Sequence, residues 1–246
     1  TPRGMFSRES GMAMDPGLFP KLEGAIDVVY NPLRTEFVQK ARSMGVPAAG
    51  GLYMLVRQAV LASEIFLDIK YPEELTERVY RSIKASKENI VLTGMPGSGK
   101  TTIGKLLAES LSRPYLDTDT LIEEKTGMTP GQIISSQGEP AFRDMETEVI
   151  REISSRTGSV IATGGGAVLR GENINLLRMN GRLYFLDRPV ELLVPTEDRP
   201  LSATKAAVLK RYHERYPTYT ATADVIIENN DTPETAAQRV KKEFFE

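Results

Sequence analysis

From about residue 89 onward, short apolar runs alternate with longer amphipathic stretches. Residues 90–93, 115–116, 159–163, 183–186 and 225–228 read as strands. Between them the apolar positions return at helical spacing. Ile103, Leu106, Leu107 and Leu111 share one face, and Phe142, Met145, Val149, Ile150 and Ile153 form a stripe over 139–153. Thr232-Pro233 supplies a cap and a first-turn proline for a last helix. Repeated strand–helix units predict an α/β fold with a parallel sheet flanked by helices. Ligands of such sheets sit beyond the carboxyl ends of the strands, which is where Asp117, Asp119 and Gly164 to Gly166 fall.

The pattern before residue 71 differs. One strand at 25–30, helices at 32–44 and 52–67, and a Gly/Ala turn between them make a piece whose single strand has no evident partner. The charged stretch 71–88 reads as a linker. Three parts are therefore expected: a small incomplete α/β fragment at 1–70, the linker at 71–88 and a complete domain at 89–246. The opening Thr1-Pro2-Arg3-Gly4-Met5 reads as a loop with no strand before it, so the chain is expected to begin inside a longer one.

Charge and composition narrow the partners. With 31 basic and 33 acidic residues the net charge is -2, so no global field recruits nucleic acid or an anionic membrane. The most apolar stretch, 51–69, is interrupted by Arg57, Glu64 and Asp68 and reads as an amphipathic helix. The absence of cysteine and the single histidine, His213, exclude disulfides and thiolate or multi-histidine metal sites. No signal-peptide pattern is visible, and a cytoplasmic setting is expected.

Gly94-Met95-Pro96-Gly97-Ser98-Gly99-Lys100-Thr101 satisfies the phosphate-loop pattern G-x-x-x-x-G-K-[ST], directly after one predicted strand and before a helical pattern. The glycines let successive N–H groups face phosphate oxygens, and the helix adds its positive end. Gly94, Gly97, Ser98, Gly99, Lys100, Thr101 and Thr102 are the candidate nucleotide-binding residues. Lys100 would reach the β and γ phosphates, and Thr101 would ligate Mg²⁺.

Four further features carry chemistry. Asp117-Thr118-Asp119 ends a strand, and strand alternation would turn both carboxylates to one side, toward the phosphate loop. An aspartate here also suits a helix cap. Arg143 lies beside the apolar stripe of its helix, where a solvated arginine is the ordinary explanation. The Gly164-Gly165-Gly166 triplet follows an apolar strand and allows either a tight turn or close approach of a ligand to the backbone. Arg199, in the polar segment 195–204, suits a lid over a transferring phosphate, and Arg215 suits a bidentate grip on a carboxylate.

In this order, the phosphate loop, Asp-Thr-Asp, Glu139-Pro140-Ala141-Phe142-Arg143, the glycine triplet with Ala167-Val168, Arg199-Pro200-Leu201 and Arg215-x-Pro-x-Tyr219 resemble shikimate kinase over about residues 89–246. The resemblance implies ATP-dependent phosphorylation of the 3-hydroxyl of shikimate by a monomeric kinase domain with Mg²⁺. It implies that Lys100 cradles the phosphates, that Thr101 and Asp117 hold Mg²⁺ directly or through water, and that Asp119 hydrogen-bonds the acceptor hydroxyl. It also implies that Arg143 and Arg215 grip the carboxylate, that the Gly164 to Gly166 backbone meets the ring hydroxyls, and that Arg199 covers the transferring group. In one departure, Leu192-Leu193-Val194-Pro195 holds no arginine where the family often stacks one on adenine. The alternatives are another small-molecule phosphate-loop kinase or a nucleotide-binding scaffold.

The first residues resemble a different family. Thr1 to Met5, Asp27-Val28-Val29-Tyr30-Asn31-Pro32-Leu33-Arg34-Thr35 and Gly51 to Ala59 are similar to the last motifs of shikimate dehydrogenase, with Gln58 at the position of a substrate-touching glutamine. That family's catalytic lysine and aspartate and its nicotinamide loop are missing. The resemblance implies a dehydrogenase–kinase fusion without dehydrogenase activity in these residues.

Overall fold

The computed structural model describes residues 4–5, 11–193 and 205–246. Arg199 and the segment 195–204 lie outside the described residues, as do Thr1 to Arg3. The chain divides into two compact units, Thr1–Glu88 and Asn89–Glu246.

In the first unit, β1 (Ala25–Ile26) pairs in parallel with β2 (Ala48–Ala49) through the crossover helix α1 (Glu36–Ser43). Thr35 caps α1, its hydroxyl accepting from the Val38 N–H and donating to Asp27 Oδ2 at 2.6 Å. The strand expected at 25–30 is thus shorter than its apolar run and has a partner. Two alanines in the Gly/Ala turn are too short and too plain a pattern to register as a strand. Helices α2 (Leu52–Leu67) and α3 (Glu73–Lys87) pack together through the edge-on ring pair Tyr53 and Tyr80, 5.4 Å apart. The stretch 71–88, expected as a linker, therefore holds a helix that belongs to this unit. Its charged residues are good helix formers, and pairs such as Glu77 with Arg81 at 2.9 Å stabilise a helix without making it look apolar. Gln58 is exposed on α2.

The second unit is a five-stranded, wholly parallel sheet in the order β4-β5-β3-β6-β7. Its strands are β3 (Asn89–Thr93), β4 (Tyr115–Asp117), β5 (Val160–Ala162), β6 (Gly181–Asp187) and β7 (Val225–Glu228). The helices are α4 (Lys100–Leu111), α5 (Thr118–Thr126), α6 (Pro130–Gln137), α7 (Glu139–Ile153), α8 (Gly171–Asn180), α9 (Lys205–Thr222) and α10 (Pro233–Phe245). Strand alternation separates the two faces. Val91, Ile161, Leu183 and Phe185 share a core with Ile150 of α7, Leu177 of α8 and Tyr219 of α9. Leu92 faces the other way, onto Gly104 of α4, and α4 packs against α10. Burying each such large side chain contributes about 1.5–3 kcal/mol, and because both faces are covered, β3 is buried at every residue.

Local signals start the helices. Thr129 and Gln132 form a reciprocal capping box on α6, and Thr232 with Pro233 opens α10. Among the described residues no helix is long and apolar enough to cross a membrane. The parallel arrangement brings the carboxyl ends of all five strands to one edge, where the candidate residues gather.

Candidate active site

The phosphate loop links β3 to α4. Gly97 and Gly99 take φ of 81° and 85°, a region that side-chain-bearing residues avoid, and this lets the loop curl over the amino end of α4. Lys100 is buried and donates from Nζ to the carbonyls of Gly94 at 2.8 Å and Met95 at 2.9 Å. Its ammonium is held inside the curl, where phosphate oxygens would enter. Asn229, just past β7, ties the loop to the sheet by donating to the Ser98 carbonyl at 2.6 Å. Thr101 and Thr102 lie exposed on the first turn of α4.

The two aspartates make different contacts, because β4 ends at Asp117 and Asp119 already belongs to the first turn of α5, where strand alternation no longer applies. Asp117 Oδ1 caps α5 by accepting from the N–H groups of Asp119 and Thr120. Its Oδ2 accepts from Thr101 Oγ1 at 3.2 Å and from the Tyr115 hydroxyl at 2.9 Å. Burial, then the Asp117 charge, keeps the Tyr115 phenol well above its ordinary pKa, so it remains a donor. A carboxylate and an exposed hydroxyl this close are a hard-oxygen donor set that suits Mg²⁺ with waters and phosphate oxygens completing its shell. Asp117 is therefore both cap and metal candidate.

Asp119 lines a cavity that is open to solvent. Pro96 of the phosphate loop, Arg143, Glu146, the glycine triplet and Arg215 line the same cavity. The carboxylate oxygens Asp119 Oδ1 and Glu146 Oε1 converge on Gly164, whose N–H donates to Thr118 Oγ1 at 2.8 Å. Arg143 is fixed by Glu139 and Glu146, each at 2.8 Å, and its guanidinium lies flat against Gly166. A Cβ at Gly166 would stand 2.2 Å from Arg143 Nη2, so the triplet's third glycine is required by close approach. Arg215 Nη1 donates to the Gly165 carbonyl at 3.0 Å, and the buried Tyr219 hydroxyl donates to the same oxygen. Burial pushes the Tyr219 phenol up to about 12, so it keeps its proton across the working range. Because the Gly165 carbonyl is turned inward, the planar peptide turns the Gly166 N–H the opposite way.

Several of these contacts escaped the sequence reading. Glu146 is wholly buried, and burial raises its carboxyl above the usual range while the Arg143 charge opposes the shift. Its signal was a carboxylate three residues after Arg143, set within an apolar stripe. Arg211, one helical turn before Arg215, also lines the cavity. Arg188 folds back to the Leu192 carbonyl at 3.3 Å.

A phosphate loop whose Pro96 shares a cavity with an aspartate, three arginines and a glycine turn defines a phosphate-loop kinase acting on a small acceptor. Residues 96–244 match the shikimate kinase family, and the chain belongs to that family. Relatives include the shikimate kinases of Clostridium botulinum, 41% identical over 63% of this chain and 96% of that protein, and Synechococcus elongatus, 44% identical over 62% and 84%. Among solved structures, the shikimate kinase from Acinetobacter baumannii in complex with shikimate superposes with a TM-score of 0.61 at 36% identity, covering 66% of this chain and 94% of that one. The shikimate kinase from Bacteroides thetaiotaomicron gives 0.59 at 30% identity over 63% and 97%.

Proposed function

We propose that this chain transfers the γ-phosphoryl group of ATP to the 3-hydroxyl of shikimate. The observation that carries the reading is one cavity walled by the phosphate loop at Pro96, by Asp119, by arginines suited to a carboxylate and by the glycine triplet. Phosphoryl transfer asks a protein mainly to position and to stabilise charge, and each residue has such a task. Lys100, with the backbone from Gly94 to Thr102, holds the phosphates. Thr101 and Asp117 would hold Mg²⁺, which when bound neutralises phosphate charge. Asp119 accepts the hydrogen bond of the acceptor hydroxyl and orients it toward the phosphate loop. Arg143 and Arg215 take the carboxylate, and the Gly164 to Gly166 backbone meets the ring hydroxyls. Arg199, outside the described residues, is proposed to cover the transferring group.

The first unit is proposed as the carboxyl-terminal part of a dehydrogenase fused to the kinase. The reading is supported by its parallel strand–helix–strand unit and by the Asp27 to Thr35 motif, whose end residues hydrogen-bond each other. Sequencing the parent reading frame upstream of Thr1 tests it, and the absence of a nicotinamide-binding domain there would refute it.

The kinase reading is tested by ADP release with shikimate, quinate, gluconate and AMP in parallel. Shikimate is expected to be the preferred acceptor by a wide margin. A stronger response to any of the other three would overturn the reading.

A further inference from the structure

Three guanidinium groups line the acceptor cavity, those of Arg143, Arg211 and Arg215. Their surroundings differ. Arg143 is engaged by two carboxylates, Glu139 and Glu146, both at 2.8 Å. Arg215 is buried and gives Nη1 to the neutral Gly165 carbonyl. Arg211 stands four residues before Arg215 on α9, so the two cations share one helix face, a repulsive arrangement on a bare helix. Burial, and then the Arg215 charge, holds the Arg211 guanidinium below its ordinary pKa, with Glu139 and Glu214 opposing. Arg143 most strongly, then Arg215 and Arg211, depress Glu139, so a single carboxylate feels all three cations. The oxygens Asp119 Oδ1 and Glu146 Oε1 converge on Gly164.

We propose that Arg211 is a specificity-determining residue, a third cation that joins Arg215 and Arg143 in binding the carboxylate of the acceptor. A carboxylate seated against α9 relieves the repulsion between the two like charges. The cavity then selects for an anionic acceptor over a neutral one of the same shape. This rests on the kinase reading above and adds a residue to it.

The test compares the wild-type chain, Arg211→Leu and Arg211→Lys by ADP release. The acceptors are shikimate and its carboxamide analogue, which keeps the ring and hydroxyls but carries no charge. Arg211→Leu is expected to raise the KM for shikimate about tenfold, with Arg211→Lys in between, as for loss of one charged partner. The KM for the carboxamide and for ATP should move by less than about twofold. An unchanged shikimate KM, or an equal rise for both acceptors, overturns the proposal. Should Arg211→Leu melt early, Arg211→Gln decides, because it removes the charge and keeps a polar side chain. Its shikimate KM must then rise more than its carboxamide KM. If the wild-type chain releases no ADP with shikimate, the kinase reading itself fails, and the proposal with it.

Discussion

Lys100 shows how much a single residue can carry. Its ammonium is buried and braced by two loop carbonyls, so it meets phosphate charge with little reorganisation and little competing water. Lys100→Ala is expected to lower kcat by about three decades. Steady-state ADP release, with circular dichroism confirming the fold, checks this, and near-normal turnover would remove the phosphate-loop assignment. At the same scale Tyr219 illustrates indirect action. Its ring stacks on Phe185 with centroids 5.0 Å apart, and its hydroxyl joins Arg215 on one carbonyl, fixing the glycine loop from behind.

The glycine loop after β5 is an element whose shape is set by what packs against it. Gly166 has an ordinary φ of -111°, so adding a methyl group there brings no backbone strain. The cost is steric, because the new Cβ would meet the Arg143 guanidinium. A free side chain could swing aside, but this one is held by Glu139 and Glu146 and cannot move without parting from a buried carboxylate. Gly166→Ala is therefore expected to raise the KM for shikimate at least about tenfold while the KM for ATP stays within about twofold. Equal changes in both constants would mean that the loop supports the fold as a whole.

At the scale of the whole molecule, the parallel sheet of the second unit is covered on both faces by its own helices, so its core is complete within 89–246. A chain beginning at Ser86 is expected to remain soluble and to keep kcat/KM for shikimate within about threefold of the full chain, a difference under ~1 kcal/mol. Gel filtration and the ADP-release assay decide. Insolubility, or a tenfold or larger loss, would show that the first unit is an integral part of the enzyme. That unit exposes Ile65 at 79% and Phe66 at 87%.

Local pattern alone determined the phosphate loop, the five strands of the second unit and the helices 52–67 and 139–153, because period, apolar runs and glycine spacing act over a few neighbouring residues. The same locality explains the errors. A solvated helix at 73–87 looked like a linker, and a two-alanine strand carried no pattern at all. Tertiary structure alone decided what each aspartate contacts, since that depends on where β4 yields to α5. It also decided what the glycine triplet is for. Thr118 reaches Gly164 across 46 residues, and Arg215 reaches Gly165 across 50. Such contacts leave no periodic trace in the chain. They exist only because a parallel sheet collects the carboxyl ends of its strands at one edge, bringing Arg211 to a site that its own neighbours in sequence do not announce.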